Sequence, residues 1–221
     1  MTLTVIINLV VCVCALAGFI MGAHSFFKKN QPLYAQMVTI ALGCASLGRL
    51  YNAAVIVCNG SIPRIFNTGI LATIGCFLFF FSANYGQMDS LCDMSNKKNG
   101  KFRWLALIAP LLLLPAALLI CFRCDENATY RLVSVVQIVF IMLASYYNCK
   151  HLMIHDVEFG IIGSIRGYNL TALLLEVLYT VEIAFDAFSL SAPKSVVYVL
   201  MSICLLLVIP VLKKGGKKWK I

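Results

Sequence analysis

The chain has 221 residues, of which 61% are hydrophobic and 12% charged, with a formal net charge of +9. Soluble domains carry roughly 45–50% apolar and about 25% charged residues, so a soluble globular domain, a disordered chain and a nucleic-acid binder are excluded, whatever the positive charge. A mean hydropathy of +0.90 points instead to an integral membrane protein.

A spanning helix needs about 20 mostly apolar residues. In chain order, seven runs qualify: 3–26, 34–58, 66–87, 104–122, 130–149, 168–190 and 195–212. The expected fold is an all-α, seven-transmembrane-helix bundle in which 1–221 form a single polytopic membrane domain. Continuous apolar runs, as opposed to alternating ones, exclude a β-barrel. The first run lacks a basic stretch ahead of it and is too long for a signal peptide, so it is expected to be retained. It carries Gly18 and Gly22 in a GxxxG spacing, and the second run adds Gly43 and Gly48. Such residues allow close helix contact; ordinary internal packing is expected, with a homo-oligomer seam as the alternative. Pro110 and Pro115 in the fourth run each remove a backbone donor and kink the helix, and Pro210 shapes the end of the seventh.

Orientation follows from Lys and Arg. Lys28, Lys29, Lys97, Lys98, Lys101, Arg103, Lys150 and Arg166, with Lys213, Lys214, Lys217, Lys218 and Lys220 in the tail, fall on one side; Arg64, Arg123, Arg131 and Lys194 fall on the other. This bias predicts an N-terminus outside and a C-terminus in the cytoplasm, in a plasma (cytoplasmic) membrane. The positive charge then lies against anionic lipid and needs no acidic partner.

Most of the ten cysteines lie within the runs, as small packing residues. Cys58, Cys121 and Cys124 fall near the outer face, where a Cys58–Cys124 disulfide is one option. Asn59 and Asn127 open glycosylation sequons in outer loops. A shift of 96 residues lays Tyr34, Leu47, Tyr51 and Asn52 over Tyr130, Leu143, Tyr147 and Asn148, which raises a 3+3+1 inverted repeat as one architecture.

Four ionisable residues interrupt the apolar spans: Arg49, Glu176, Glu182 and Asp186. Each costs about 2.5–3.5 kcal/mol at a helix centre, and such residues face the bundle interior, pair with one another and mark function. At 100° per residue Glu176, Tyr179, Glu182 and Asp186 share an arc of about 120°, as do Ser46, Arg49 and Asn52. Arg49 and Glu182 lie at similar depth and form the expected pair, with Glu176 nearer the cytoplasm and Asp186 nearer the outer surface. One arginine cannot neutralise three carboxylates. At least one of Glu176 and Glu182 is therefore expected to be protonated near neutral pH or to bind a cation. The candidate ligand- or ion-binding residues are Arg49, Asn52, Glu176, Tyr179, Glu182 and Asp186. Asn67, Asn84, Tyr85, Tyr198 and Ser202 are candidates to complete a polar cavity.

Nucleotide, serine-hydrolase and zinc-protease motifs are absent from the sequence, and no cofactor or metal is implied. His151 and His155, four apart, are the nearest approach to a metal pair. The string Asn84-Tyr-Gly-Gln-Met-Asp89-Ser-Leu-Cys-Asp93 resembles in part the Mg²⁺–diphosphate motif of intramembrane prenyltransferases. It departs in lacking an Asp directly after Asn84 and in the spacing to Asp89, and no second acidic motif follows. The N-out arrangement and the basic segment Asn96-Lys-Lys-Asn-Gly-Lys-Phe-Arg-Trp104 are similar to the seven-helix input modules of bacterial sensor kinases, although no output domain follows Lys220.

The leading expectation is a membrane protein that binds and translocates a small solute, coupled to protons or cations through Arg49, Glu176 and Glu182. The alternative is a ligand-sensing receptor or sensor-input module acting through a partner protein. The third is an intramembrane lipid-modifying enzyme using Asp89 and Asp93. The expected partners are the lipid bilayer and a small-molecule or ion ligand, with a homo-oligomer as one option and no nucleic acid.

Overall fold

A computed structural model describes residues 2–28, 31–85, 100–124, 127–153, 161–190 and 194–216. Within them the chain forms eight α-helices: α1 Thr2–Phe26, α2 Leu33–Asn59, α3 Thr68–Ala83, α4 Gly100–Ala106, α5 Ile108–Arg123, α6 Ala128–Met153, α7 Ile161–Ala187 and α8 Lys194–Gly216. No strand occurs among the described residues.

Local chemistry sets the helix ends. Gly60 closes α2 in the left-handed conformation at φ 80°, and its N–H donates to the Ile56 carbonyl. Asn67 opens α3 by accepting from the Ile70 N–H at 3.1 Å. Asn127, the second sequon residue, opens α6 by accepting from the Tyr130 N–H at 2.7 Å. The fourth run divides into α4 and α5 at Leu107, whose N–H reaches back to Trp104. Pro110 thereby falls in the first turn of α5, where its missing N–H leaves no bond unmade.

The sixth run differs from expectation. It begins at Ile161 and stops at Ala187, earlier than the apolar pattern to Leu190 suggests. Leu190 N–H donates to Phe185 and Ser189 N–H to Asp186, the paired bonds of a Schellman turn. Ser189 takes the left-handed position at φ 53°, which glycine normally occupies.

The helices close into a ring. α1 packs on α2, α2 on α3, α3 on α6, α6 on α7, α7 on α8, and α8 returns to α1. α5 lies outside the ring against α6 and α7. Phe77 and Phe80 of α3 meet Tyr179 and Tyr168 of α7 in the middle, with ring centroids 5.1 and 6.3 Å apart. All four are fully buried or nearly so.

Outside, the bundle is apolar. Leu3, Val13 and Ile20 of α1, Leu111, Leu112 and Phe122 of α5, and Val196 and Val199 of α8 are exposed. Five helices are long and apolar enough to cross a membrane: Leu3–Phe26, Leu33–Asn59, Lys101–Arg123, Ala128–Met153 and Lys194–Gly215; Thr68–Ala83 is a shorter apolar helix. Only 28% of the first and 22% of the third of these is buried, so the apolar surface faces outward as lipid contact demands. This is the architecture of a helical membrane protein.

Gly18 and Gly22 serve packing within the chain. A methyl group on Gly18 would lie 2.9 Å from Leu42 Cδ1 and 3.0 Å from the Leu205 carbonyl; on Gly22 it would lie 2.7 Å from Thr39 Cγ2 and would overlap the Thr39 hydroxyl. Both glycines thus let α1 seat against α2 and α8. Gly75 is different, with only Cys44 Sγ at 3.5 Å. Gly22→Val is therefore expected to destabilise the bundle by about 1–3 kcal/mol, with Gly75→Ala close to neutral, in an unfolding titration of the detergent-solubilised protein.

Candidate functional site

The α2 face that carries Ser46, Arg49 and Asn52 turns inward. Ser46 anchors it by donating to the Cys12 carbonyl on α1 at 3.3 Å. Arg49 is 5% exposed and reaches across the ring to α7, where its two terminal nitrogens donate to the two carboxylate oxygens of Glu182. The fork is bidentate, the geometry in which a guanidinium meets a carboxylate most strongly. The guanidinium carbon also lies 5.0 Å from the Tyr179 ring on α7 and 5.4 Å from the Tyr198 ring on α8. These contacts add cation–π attraction. One side chain thus ties together three helices, and Ser202, one turn along α8, bonds back to the Tyr198 carbonyl at 2.8 Å.

The three acids share a face of α7, yet they do not form one cluster. Asp186 pairs with Lys194 at 2.7 Å, and this pair is wet, with side chains 44% and 26% exposed. Glu176 lies at the other end. It is fully buried and accepts from Asn148 of α6 at 2.6 Å. Asn148 in turn accepts from Asn84 at 2.7 Å, and Asn84 meets His151 Nδ1 at 3.1 Å. The expected shortage of positive charge around three carboxylates is relieved in part by Lys194, which counting charges had assigned to an outer loop. Its position eight residues after Asp186, across a tight turn, is the sequence signal for that pair. Asn148, on the face of α6 that meets α7, carries no comparable signal.

A cavity of about 500 Å³ enters the bundle beside the α2–α3 and α7–α8 turns. Its walls include five of the six expected residues: Arg49, Asn52, Tyr179, Glu182 and Asp186. Glu176 is not among them. Asn67, expected in a polar cavity, also lines it, whereas Asn84, Tyr198 and Ser202 do not. Residues that sequence reasoning missed are Thr73, Ser134 and Gln137, each one polar position in an apolar run, together with Arg64. Arg64 donates to the Ser189 hydroxyl at 3.2 Å and lies 5.6 Å from the Tyr130 ring. The left-handed Ser189 therefore stands at the mouth of the cavity, held by a cation. Such strain is found where a site constrains the backbone.

Other expectations resolve simply. His151 turns inward to Asn84, while His155, Asp89, Asp93 and the 96–99 segment lie outside the described residues. No group of three metal-ligating side chains occurs among the described residues. Cys58, Cys121 and Cys124 are free thiols, and Cys124 donates to the Ala187 carbonyl at 3.3 Å in place of the Cys58–Cys124 disulfide option. Comparison with protein-family models, curated proteins and solved structures finds no match for this chain.

Removing one member of a buried ion pair leaves the other charge uncompensated, at a cost of about 3–5 kcal/mol, whereas replacing both by apolar groups is far milder. Arg49→Met and Glu182→Met are each expected to cost that much, and the double variant considerably less than either. Lys194→Ala, at an exposed pair, should cost about 0–1 kcal/mol. Unfolding titrations of the solubilised variants measure all four, with the first three closing a double-mutant cycle.

Proposed function

We propose that this protein binds a small polar solute in the cavity headed by Arg49 and Glu182, and carries it across the membrane coupled to protons or cations. One observation supports the reading above all: a sizeable polar cavity leads directly to a buried, bidentate Arg–Glu pair. A purely structural ion pair has no need of such an approach. Carboxamides Asn52, Asn67 and Gln137 and the hydroxyl of Thr73 suit a ligand that hydrogen-bonds, while the Arg–Glu fork offers both signs of charge to a zwitterion or polyol.

The reading takes seven spans, with α4 and α5 as one broken span and α3 and α7 completing the set. It takes an N-terminus outside and a C-terminus in the cytoplasm of the plasma membrane, following the Lys and Arg bias. The cavity then opens to the outside, since Thr4, the 60–67 turn and Lys194 all line it. Asn52 and Asn148 both face inward, as the 96-residue shift of a 3+3+1 repeat would have them.

A second reading, a ligand-sensing module acting through a partner, is favoured by the aromatic layer of Phe77, Phe80 and Tyr168, which fills the bundle beyond the cavity. A cavity open at one end serves recognition without passage equally well. Proteoliposomes containing an internal pH dye separate the two. Addition of amino acids, polyols or alkali cations, tested one class at a time, should change internal pH with at least one class, and Glu182→Gln should reduce that rate tenfold or more. Binding without flux supports the sensor. A response that Glu182→Gln leaves intact contradicts the role given to the pair.

A further inference from the structure

The Glu176 network stands apart from the cavity. Glu176 lies six residues from Glu182, about 9 Å along the helix axis, and its hydrogen-bond partner Asn148 comes from α6, whereas Glu182 pairs with Arg49 of α2. We infer that Glu176 is a second, independent site in this bundle, a proton-binding carboxyl whose proton resides on Oε2.

Hydrogen-bond direction carries the inference. A carboxamide oxygen only accepts and its nitrogen only donates. Asn84 Nδ2 donates to Asn148 Oδ1, so Asn84 Oδ1 must accept from His151, which fixes a proton on Nδ1. Asn148 Nδ2 then donates to Glu176 Oε1 at 2.6 Å. Every donor in the chain from His151 points toward Glu176, and Oε1 is used as an acceptor. Oε2 is fully buried with no hydrogen-bond partner among the described residues. An ionised carboxylate left in that state bears a heavy desolvation cost, and among the described residues the bond it is given is Asn148's neutral one, with no cation paired to it. A metal cation fits poorly, because both carboxamide oxygens are already occupied. One proton on Oε2 removes the charge and leaves Oε1 as the carbonyl that accepts from Asn148.

The titratable groups facing Glu176 agree with this. Among the described residues they are Cys76 on α3, Cys149 on α6 and Tyr168 on its own helix, with the buried Lys150 and His151 farther along α6 at the far side of Asn148 and Asn84. Arg49 on α2 is committed to Glu182. Among the described residues of α5 and α8, Arg123 and Lys194 lie at the cavity end and Lys213 and Lys214 at the opposite terminus, with Tyr198 and Cys204 between. None of these is a second acid able to share the proton.

The test is infrared spectroscopy of the full chain in lipid at neutral pH, where solvent-exposed carboxyls are ionised. A carboxylic C=O band is expected that shifts when glutamate, but not aspartate, carries a ¹³C side-chain carboxyl. It should be lost in Glu176→Gln and retained in Glu182→Gln. In Asn148→Leu it should move to higher wavenumber, because the C=O loses its donor. The isotope arm needs no mutation, so a misfolded variant does not stop the test. No carboxylic band, a band that survives Glu176→Gln, or one indifferent to Asn148→Leu would each overturn the site. None of these outcomes touches solute binding at the Arg49–Glu182 cavity, which is tested by flux.

Discussion

The buried contact between Arg49 and Glu182 is the constraint on which the rest of the bundle turns. Neither side chain is tolerable alone in a hydrocarbon environment, where each costs about 2.5–3.5 kcal/mol on insertion scales. Satisfying both requires α2 and α7 to present them at the same depth on facing sides of the ring. The backbones of α2 and α7 need not touch, since the long arginine stem spans the gap. Arg49 and Glu182, which bridge it, both line the cavity. Tyr179 and Tyr198 complete the arrangement by covering the guanidinium with aromatic faces.

The ring therefore has two levels. At the level of the α2–α3 turn the cavity is polar and open, with the Asp186–Lys194 pair and the Arg64–Ser189 contact at its mouth. In the middle the aromatic side chains of α3 and α7 fill the interior. Within that layer, between Tyr168 and Tyr179 along α7, Glu176 begins a buried hydrogen-bonded chain to His151 whose members do not line the cavity. A solute passes beyond the first level only if the aromatic layer rearranges, whereas recognition at the first level needs no such change. The two functional readings differ on that single step.

Much of the fold is written in composition and periodicity. Apolar runs locate the helices, and the 100° step places Glu176, Tyr179, Glu182 and Asp186 on one face of α7. Equal depth is enough to match Arg49 with Glu182. Two things are not legible in this way. Helix ends depend on local turn chemistry: Ser189 ends α7 through a left-handed turn that an apolar pattern up to Leu190 conceals. Helix order around the ring depends on side-chain fit over long sequence distances. Without it, nothing tells that α3 and α6 adjoin, or that Asn84 and Asn148 take Glu176 away from the Arg49 cluster. The three acids look like one group in sequence because they share a helix face; in space their partners come from different helices. Gln137, Ser134 and Thr73 were invisible for the complementary reason, since a lone polar residue in an apolar run is usually a packing residue.

The central claim is that the cavity beside Arg49 and Glu182 is a binding site, and ligand-dependent stability tests it most directly. Anything that binds the folded chain raises its unfolding temperature by mass action. A panel of zwitterionic, polyol and cationic solutes at millimolar concentration is predicted to contain at least one class that raises the unfolding temperature of the wild-type chain. That rise should disappear when Thr73→Phe fills the cavity. A wild-type chain indifferent to every class, or a shift that persists in Thr73→Phe, would contradict the account.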